Sequence, residues 1–340
     1  MGVWDKIHRA GGSAMTRMRV DVEGCVLEAD LVLFTRSIGL RREILDTILA
    51  EHAASLPNVE WRQGMNVTDL VIRDGVVEGV EARGRDNRRH RFYGRVVIGA
   101  DGRGSLVARR TGAEVYLEAE PVRCAYYAYF EGLHPLGTPT VEWYWWSPDI
   151  VFVTPCGGNL HTALIMPPQV EFHRWRRDPA HMLDTRLRRI RTLAPRLANA
   201  RRVGPVRGLG NIGSRVRRSY GPGWALVGDA GAHLHPVTGS GIENAVAAAE
   251  LLAEALHQVF SGQASWEEAL SAYQDKRDGL IMSQFHGAQR LLNRGPVSPE
   301  AVGWLSLLST LPGVVHDLAA RSREVLELLM GKEKAAPGEP

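Results

Sequence analysis

Cysteine, lysine and long apolar runs are scarce in this sequence, and each scarcity argues against a class of protein. The three cysteines are widely spaced, which argues against a disulfide framework and for a reducing compartment. No uncharged apolar run is long enough to cross a bilayer, and the N-terminus has no signal-peptide pattern. We therefore expect a cytoplasmic protein with no stable membrane insertion.

The basic charge is almost entirely arginine, because lysine occurs only at Lys6, Lys276, Lys332 and Lys334. The net charge is +3 and most of the arginines are scattered, so no nucleic-acid partner is expected. The length of 340 residues predicts two domains, each large enough to have its own core.

The stretch Trp224–Asn244 carries the most informative functional pattern in the sequence. Its first four residues, Trp224–Val227, form a short apolar run that predicts a buried strand. Gly228 ends this strand, so Asp229 lies at its carboxyl end, where open α/β sheets place ligand-binding groups. Further on, His233 and His235 could bind a metal, but no third ligand cluster is apparent, and we predict no metal site.

A helix begins at the end of the same stretch. Ser240 and Glu243 have the spacing of a capping box, and apolar residues follow at helical spacing. Gly239 and Gly241 leave backbone amides bare at this helix start, where the helix dipole favours an electron-rich ligand. A strand, an acid, a glycine pair and a helix N-terminus together predict a site for a nucleotide-derived cofactor.

Two earlier segments have a related pattern. Val96–Ile98 predicts a buried strand, and Asp101-Gly102 predicts the turn at its end. Leu40–His52 has apolar residues at helical spacing and predicts an amphipathic helix, in which Arg42 lies near the start.

These segments resemble the class A flavoprotein monooxygenases and their geranylgeranyl-reductase relatives. Trp224–Asn244 is similar to the family motif G-D-A-x-H…P-x-x-G-x-G, Gly99–Ser105 to G-A-D-G-x-x-S, and the Arg42 helix to R-x-x-L-[DH]-x-x-L. The resemblance implies that Asp229 contacts the ribitol or ribose hydroxyls of FAD and that Pro236 lies beside the isoalloxazine ring. The cofactor-binding residues that it implies are Arg42, Asp101, Gly102, Gly228, Asp229, Pro236, Gly239, Ser240 and Gly241.

The sequence departs from the family motif at three positions. The histidine is one place late, because Ala232 holds its usual position and His233 follows. Asn244 is also one place late, and Ala249 replaces a common aspartate. The sequence Thr-Gly-Ser-Gly-Ile at Thr238–Ile242 is closer to that of the reductases of the superfamily.

Residues 121–215 are rich in aromatic residues and in strand-like segments separated by proline and glycine. This composition predicts an antiparallel sheet, and large rings at alternating positions can line an apolar pocket or fill a core. As pocket residues we propose Tyr127, Trp143, Trp145 and His235. Trp143-x-Trp145-x-x-Pro148 also resembles the W-x-W-x-I-P element of flavin-dependent halogenases, with Ser147 in place of the isoleucine.

The sequence lacks the fingerprint of a first dinucleotide-binding strand. Gly208–Gly213 matches G-x-G-x-x-G, but no apolar helix follows it, so we interpret it as a loop and a strand. We expect the chain as given to bind FAD weakly or not at all and to aggregate, and an upstream reading frame to encode the missing strand. Comparing bound flavin and solubility for the two lengths tests this expectation.

The predicted fold is α/β (α+β), with an N-terminally truncated Rossmann-like FAD/NAD(P)-binding domain and an inserted antiparallel sheet. Residues 1–120 and 216–260 would form the FAD-binding domain, 121–215 the substrate domain, 261–330 C-terminal helices and 331–340 a disordered tail.

The first functional hypothesis is an FAD-dependent monooxygenase that uses NAD(P)H and O₂ on a small apolar or aromatic substrate. Flavin-dependent reduction of isoprenoid double bonds and halogenation are the alternatives among enzymes. A non-catalytic fragment that cannot bind FAD is the alternative from another class. No catalytic acid or base is identified, since the protein's part is to position and shield the flavin.

Overall fold

The computed structural model describes residues 2–30, 37–293 and 295–309, and these residues group into two units. The first unit contains the described residues up to Glu60, Val122–Asn211 and the described residues from 295 on. The second contains Trp61–Pro121 and Ile212–Asn293. The sequence also predicts a short apolar segment at 31–34 and a helix at 311–330. Both of them, and the predicted tail 331–340, lie outside the described residues.

The helices are α1 (Trp4–Arg9), α2 (Arg42–Ala54), α3 (Leu106–Arg110), α4 (Phe172–Arg177), α5 (Pro179–Arg189), α6 (Gly241–Phe260), α7 (Trp266–Leu292) and α8 (Pro299–Ser309). The strands of the first half are β1 (Ser13–Met15), β2 (Arg17–Val22), β3 (Cys25–Asp30), β4 (Ser37–Gly39), β5 (Asn66–Arg73), β6 (Val76–Arg83), β7 (Arg89–Tyr93), β8 (Val97–Gly99) and β9 (Val115–Ala119). Those that follow are β10 (Ala125–Glu131), β11 (Thr140–Trp146), β12 (Asp149–Pro155), β13 (Leu160–Met166), β14 (Arg201–Leu209), β15 (Ser214–Arg217), β16 (Tyr220–Gly221), β17 (Trp224–Leu226) and β18 (Ala232–His233).

The first unit is built on a seven-stranded sheet of order β14-β10-β13-β12-β11-β2-β3. Its neighbouring strands are antiparallel except β2 and β11, which pair in parallel from Arg17 with Thr140 to Val22 with Trp145. This pairing groups the described residues up to Glu60 with the seven-stranded sheet, whereas the sequence analysis assigned residues 1–120 to the FAD-binding domain.

The alternation of side chains along the sheet separates its aromatic residues into two groups. Tyr126, Phe130 and Tyr144 are at most 4% exposed and belong to the core on one face. Trp175 of α4 and Leu183 of α5 close that core, and the Trp175 ring stacks on Tyr126 at 4.8 Å. Trp146 packs against the same core, and the opposite face carries Tyr127, Tyr129, Trp143, Trp145 and Phe152.

The core of this unit also contains paired charges. Arg186 of α5 bonds both Asp149, at 3.2 Å, and Glu171. Arg196 forms a buried ion pair with Glu142. Each arginine anchors the helical layer to the sheet, because a buried charge that lost its partner would be strongly destabilising.

The second unit contains the three-stranded sheets β16-β17-β8, β18-β15-β9 and β5-β6-β7. The sequence predicts a hairpin of 67–72 and 76–80 with its turn at Asp74-Gly75, and β5 and β6 confirm it. The turn residues Asp74 and Gly75 both have positive φ, at 50° and 80°. Among the described residues β8 pairs only with β17, and Ile98 in the middle of β8 is 45% exposed.

Besides the short α3, the second unit contains the two long helices α6 and α7. The sequence predicts two helices here, 266–282 and 285–293. In the structure α7 is one continuous helix, which starts with a capping box of Ser265 and Glu268. α6 buries Ala248, Leu252, Ala255 and Leu256 on one face. No helix among the described residues combines the length and apolar character that crossing a membrane requires.

The buried Asp149 carboxyl should make stability depend on pH. Burial raises its pKa from 3.8 to about 6, and the nearby Arg186 offsets only part of that effect. A raised folded-state pKa contributes stability that is complete below about pH 4 and is lost as the pH rises through about 6. Relative to wild type, Asp149→Asn should therefore become more stable between pH 4 and 7, by up to about 3 kcal/mol.

Urea unfolding of both proteins across this range measures the difference. Arg186 keeps Glu171 as a partner in the variant, so the substitution does not strand a buried charge. Asp46→Asn, at an exposed carboxylate, is the control and should follow wild type. Parallel pH profiles for Asp149→Asn and wild type would contradict the assignment.

Candidate functional site

The strands before the two predicted cofactor motifs are neighbours in one sheet. β17 and β8 pair in parallel, with Trp224 opposite Val97 and Leu226 opposite Gly99. The Val227 amide continues the ladder by donating to the Gly99 carbonyl at 3.0 Å. The two motifs can form one site only if their strands share a sheet, and this expectation is confirmed. The turns after both strands leave the sheet at the same edge.

The turn after β17 begins with a glycine that the backbone requires. Gly228 has φ of +59°, and an added Cβ would lie 3.2 Å from the Ala245 Cβ of α6. A short 3₁₀ turn, Gly228–Ala230, then presents the Asp229 side chain, which is 43% exposed. Close packing of α6 on the turn thus fixes where this carboxylate lies.

Asp229 lines a narrow cleft between the turn, α6 and α7. The cleft is lined by Gly228, Asp229, Ala232, Leu234, Gly241, Asn244, Ala245, Ala248, Tyr273, Arg277 and Ile281. Pro236 and Asp101, which we expected beside it, are not among the lining residues. The Asp229 Oδ2 atom accepts a hydrogen bond from His233 Nδ1 at 3.2 Å.

The capping box predicted at the start of α6 is wrong. The Ser240 hydroxyl donates to the Thr238 carbonyl at 3.1 Å, and no side chain of the described residues caps the helix. Gly239 has φ of +68°, and no other atom lies within 4 Å of a Cβ added at Gly239 or Gly241. The first-turn amides of α6 therefore lie beside open space and can bind an electron-rich group.

Pro236 and His235 form the tight turn before this helix. Pro236 starts a 3₁₀ turn, Pro236–Thr238, and the Val237 amide donates to His235 Nδ1 at 3.1 Å. His235 is 1% exposed, so its ring stabilises the turn within the second unit. The two histidines therefore have different partners: His233 bonds the Asp229 carboxylate, and His235 bonds a backbone amide of its own turn.

Asp101 has a structural task at the end of β8. Its Oδ2 atom accepts from the amides of Leu106 and Val107, at 2.6 and 3.3 Å, and thereby caps α3. Gly102 has φ of +72° and open space around it. Sequence reasoning identified the turn but not this capping contact.

Arg42 lies in the first unit, at the start of α2. Its guanidinium bonds both carboxylate oxygens of Asp46, at 3.1 and 3.2 Å, and the two side chains are 62% and 55% exposed. An exposed pair one helical turn apart contributes about 0.5 kcal/mol or less to stability. The described contacts of Arg42 are thus those of a surface residue.

Three of the proposed pocket residues lie on the same face of the seven-stranded sheet. Five half-buried residues that are partners on adjacent strands form a row across this face: Val20, Trp143, Phe152, Leu164 and Tyr127. Trp145 lies two residues beyond Trp143 on this face, which we call the aromatic face. The Trp143 and Phe152 rings meet edge to face at 4.9 Å.

Sequence reasoning missed several residues around the cleft. Tyr273 donates its hydroxyl to the Leu226 carbonyl at 2.7 Å, and burial raises the pKa of Tyr273 to about 12. Arg277, which is 2% exposed, bonds Asp278, Tyr116 and the Arg217 carbonyl. Both belong to α7, whose sequence shows only an amphipathic helix and gives no local signal for these long-range contacts.

The exclusion of Gly208–Gly213 as a dinucleotide fingerprint is confirmed. Gly208 and Leu209 end β14, and β15 begins at Ser214, so a strand rather than a helix follows the glycines.

The described residues fit the flavin end of FAD. Asp229 offers an exposed carboxylate that suits a hydroxyl group, and the glycines at the start of α6 leave backbone amides accessible. The dipole of a helix of 20 residues adds partial positive charge at that point.

Comparison with known proteins agrees with this geometry. The model of a family described as an FAD binding domain matches residues 1–284. Over 243 residues the chain is 28% identical to a digeranylgeranylglycerophospholipid reductase of Methanosarcina mazei, covering 70% of this chain and 57% of the relative. Over 250 residues it is 24% identical to a 1H-pyrrole-2-carbonyl-[peptidyl-carrier protein] brominase of Pseudoalteromonas luteoviolacea, covering 71% and 60%.

Among solved structures, p-nitrophenol 4-monooxygenase of Pseudomonas putida has the same fold, with a TM-score of 0.74 at 18% identity. The alignment covers 95% of this chain and 83% of that one. By contrast, the chain spans only 57% and 60% of the lengths of the two curated relatives.

Replacing Asp229 tests the site directly. Asp229→Ala should weaken FAD binding by about 1–3 kcal/mol, or roughly 5- to 150-fold, because cofactor hydroxyls would lose a charged hydrogen-bond partner. Titration followed by flavin fluorescence measures this affinity. Glu250→Ala, at an exposed acid of α6, should leave it unchanged, and unchanged affinity in Asp229→Ala would refute the assignment.

Proposed function

The chain belongs to the FAD-binding domain family, and we propose that it acts as an FAD-dependent monooxygenase on a small apolar or aromatic substrate. NAD(P)H is the proposed electron donor and O₂ the co-substrate. The observation that carries the proposal is the narrow cleft in which Asp229 lies beside the start of α6, whose first turn has no side-chain cap among the described residues.

Each group of the cleft has a defined task in this proposal. When bound, FAD supplies the redox chemistry, and the protein holds it in place. Asp229 accepts a hydrogen bond from a cofactor hydroxyl, while the α6 amides favour negative charge on the flavin ring. These tasks need no acid–base pair among the side chains.

The aromatic face supports an apolar substrate. Its central row crosses five strands, which corresponds to about 19 Å at the usual strand spacing. Flat rings such as Trp143 and Phe152 offer a large apolar area at a low cost in conformational entropy. An extended or polycyclic molecule would use more of this row than a single ring.

A second candidate is the reduction of isoprenoid double bonds. This reaction is favoured by the glycine-rich sequence of Thr238–Ile242 and by the 28% identity to a digeranylgeranylglycerophospholipid reductase. The two reactions differ in their need for oxygen, because a hydroxylase incorporates an oxygen atom from O₂ and a double-bond reductase does not.

Product analysis distinguishes these reactions. The chain is incubated with FAD, NAD(P)H and a panel that contains p-nitrophenol, a polycyclic phenol and a geranylgeranyl lipid, under ¹⁸O₂ or under argon. The proposal expects an ¹⁸O-labelled hydroxylated product that disappears under argon. A saturated lipid formed under argon would establish the reductase instead, and halide-dependent products would indicate a halogenase.

Substitution on the aromatic face tests the substrate assignment. Trp143→Ala should lower kcat/KM for the turned-over substrate by roughly 10- to 100-fold, because a large apolar contact is lost, and should leave FAD affinity unchanged. Trp61→Ala removes a tryptophan that is 49% exposed in the second unit and is the matched control. Unchanged kcat/KM in Trp143→Ala would contradict the assignment.

A further inference from the structure

His233 differs in position from the histidine of the family motif, and the shift changes its surroundings. It lies in β18, which pairs with β15 so that His233 faces Arg215 across the ladder. Since successive side chains of a strand point to opposite faces, a shift of one residue moves the imidazole to the other side of the strand. In this position the ring reaches Asp229.

The His233 ring is committed to this contact. Nδ1 lies 3.2 Å from Asp229 Oδ2, and the histidine side chain is 13% exposed. Nε2 is buried without a hydrogen-bond partner among the described residues. Because a carboxylate only accepts hydrogen bonds, Nδ1 carries the proton and donates it.

The neighbouring cations are bound to other groups. Arg215 bonds Glu118 through two nitrogens, one of them at 2.8 Å. Arg277, whose Nη1 would lie 2.9 Å from a Cβ at Gly231, bonds Asp278 at 2.8 Å. His233 is therefore the side chain, among those described, that orients the Asp229 carboxylate.

We propose that His233 is a positioning residue that fixes Asp229 for flavin binding; this inference rests on the proposed function. With Oδ2 held by Nδ1, the other oxygen is directed to accept from a hydroxyl of the ribityl chain. Without the imidazole the terminal torsion of the aspartate is broad, and the carboxylate samples many orientations.

Two amide variants at His233 give the sharpest test. Asparagine places its side-chain nitrogen near the position of Nδ1, and glutamine places it near that of Nε2. FAD titration of the full chain should show binding roughly 3- to 10-fold weaker in His233→Ala and His233→Gln. His233→Asn should remain within about 2-fold of wild type, a rescue that general destabilisation does not produce.

A second ligand and a double variant locate the effect. Lumiflavin has no ribityl chain, so His233→Ala should bind it as wild type does. In the Asp229→Ala background, the additional His233→Ala change should have no further effect on FAD affinity. His257→Ala, at an exposed histidine of α6, is the control for the loss of an imidazole.

The possible outcomes separate this inference from the proposed function. Wild-type affinity in His233→Ala, equal weakening in the Asn and Gln variants, or an equal loss of lumiflavin binding would overturn the role of His233 alone. Weak binding by the wild-type chain is compatible with the missing dinucleotide fingerprint. No binding of FAD at all would favour the non-catalytic alternative of the sequence analysis, and would overturn the proposed function and this inference with it. If His233→Ala does not fold, the Asn and Gln pair still decides the question.

Discussion

The parallel pairing of β8 with β17 is the constraint on which the candidate site depends. It joins segments that are far apart in the chain and places the Asp101 and Asp229 turns at one edge of a sheet. Close approach is possible because a Cβ at Gly99 would lie 2.8 Å from Leu226 and 2.9 Å from Val107. Any side chain there would separate the sheet from α3 and displace the turns.

The seven-stranded sheet illustrates how one sequence pattern serves two purposes. Alternate residues of β10 and β11 either enter the core or form the aromatic face, so Tyr126 and Tyr127 have different surroundings although they are adjacent. Buried ion pairs such as Glu142 with Arg196 fix the helical layer against the core face. The second face is left with a row of largely apolar side chains, which suits the recognition of an apolar molecule.

Local patterns in the sequence were sufficient to predict many of the strands in this structure. Short apolar runs ending in glycine predicted β8 and β17, and alternating aromatic residues predicted the strands that carry Tyr127 and Trp143. The capping box failed because the left-handed Gly239 turns the Ser240 hydroxyl back to the Thr238 carbonyl. β2 was not predicted because its partner β11 is distant in the chain, and a long-range pairing leaves no local signature.

Hydrogen–deuterium exchange in the presence and absence of FAD tests the central claim most directly, because it reports which backbone amides a bound ligand protects. The claim is that the turn after β17 and the start of α6 hold the flavin. We expect FAD to slow exchange in Gly228–Gly231 and in Gly239–Asn244 of the full chain. If FAD slows exchange elsewhere in the chain but in neither of these two segments, the claim is contradicted.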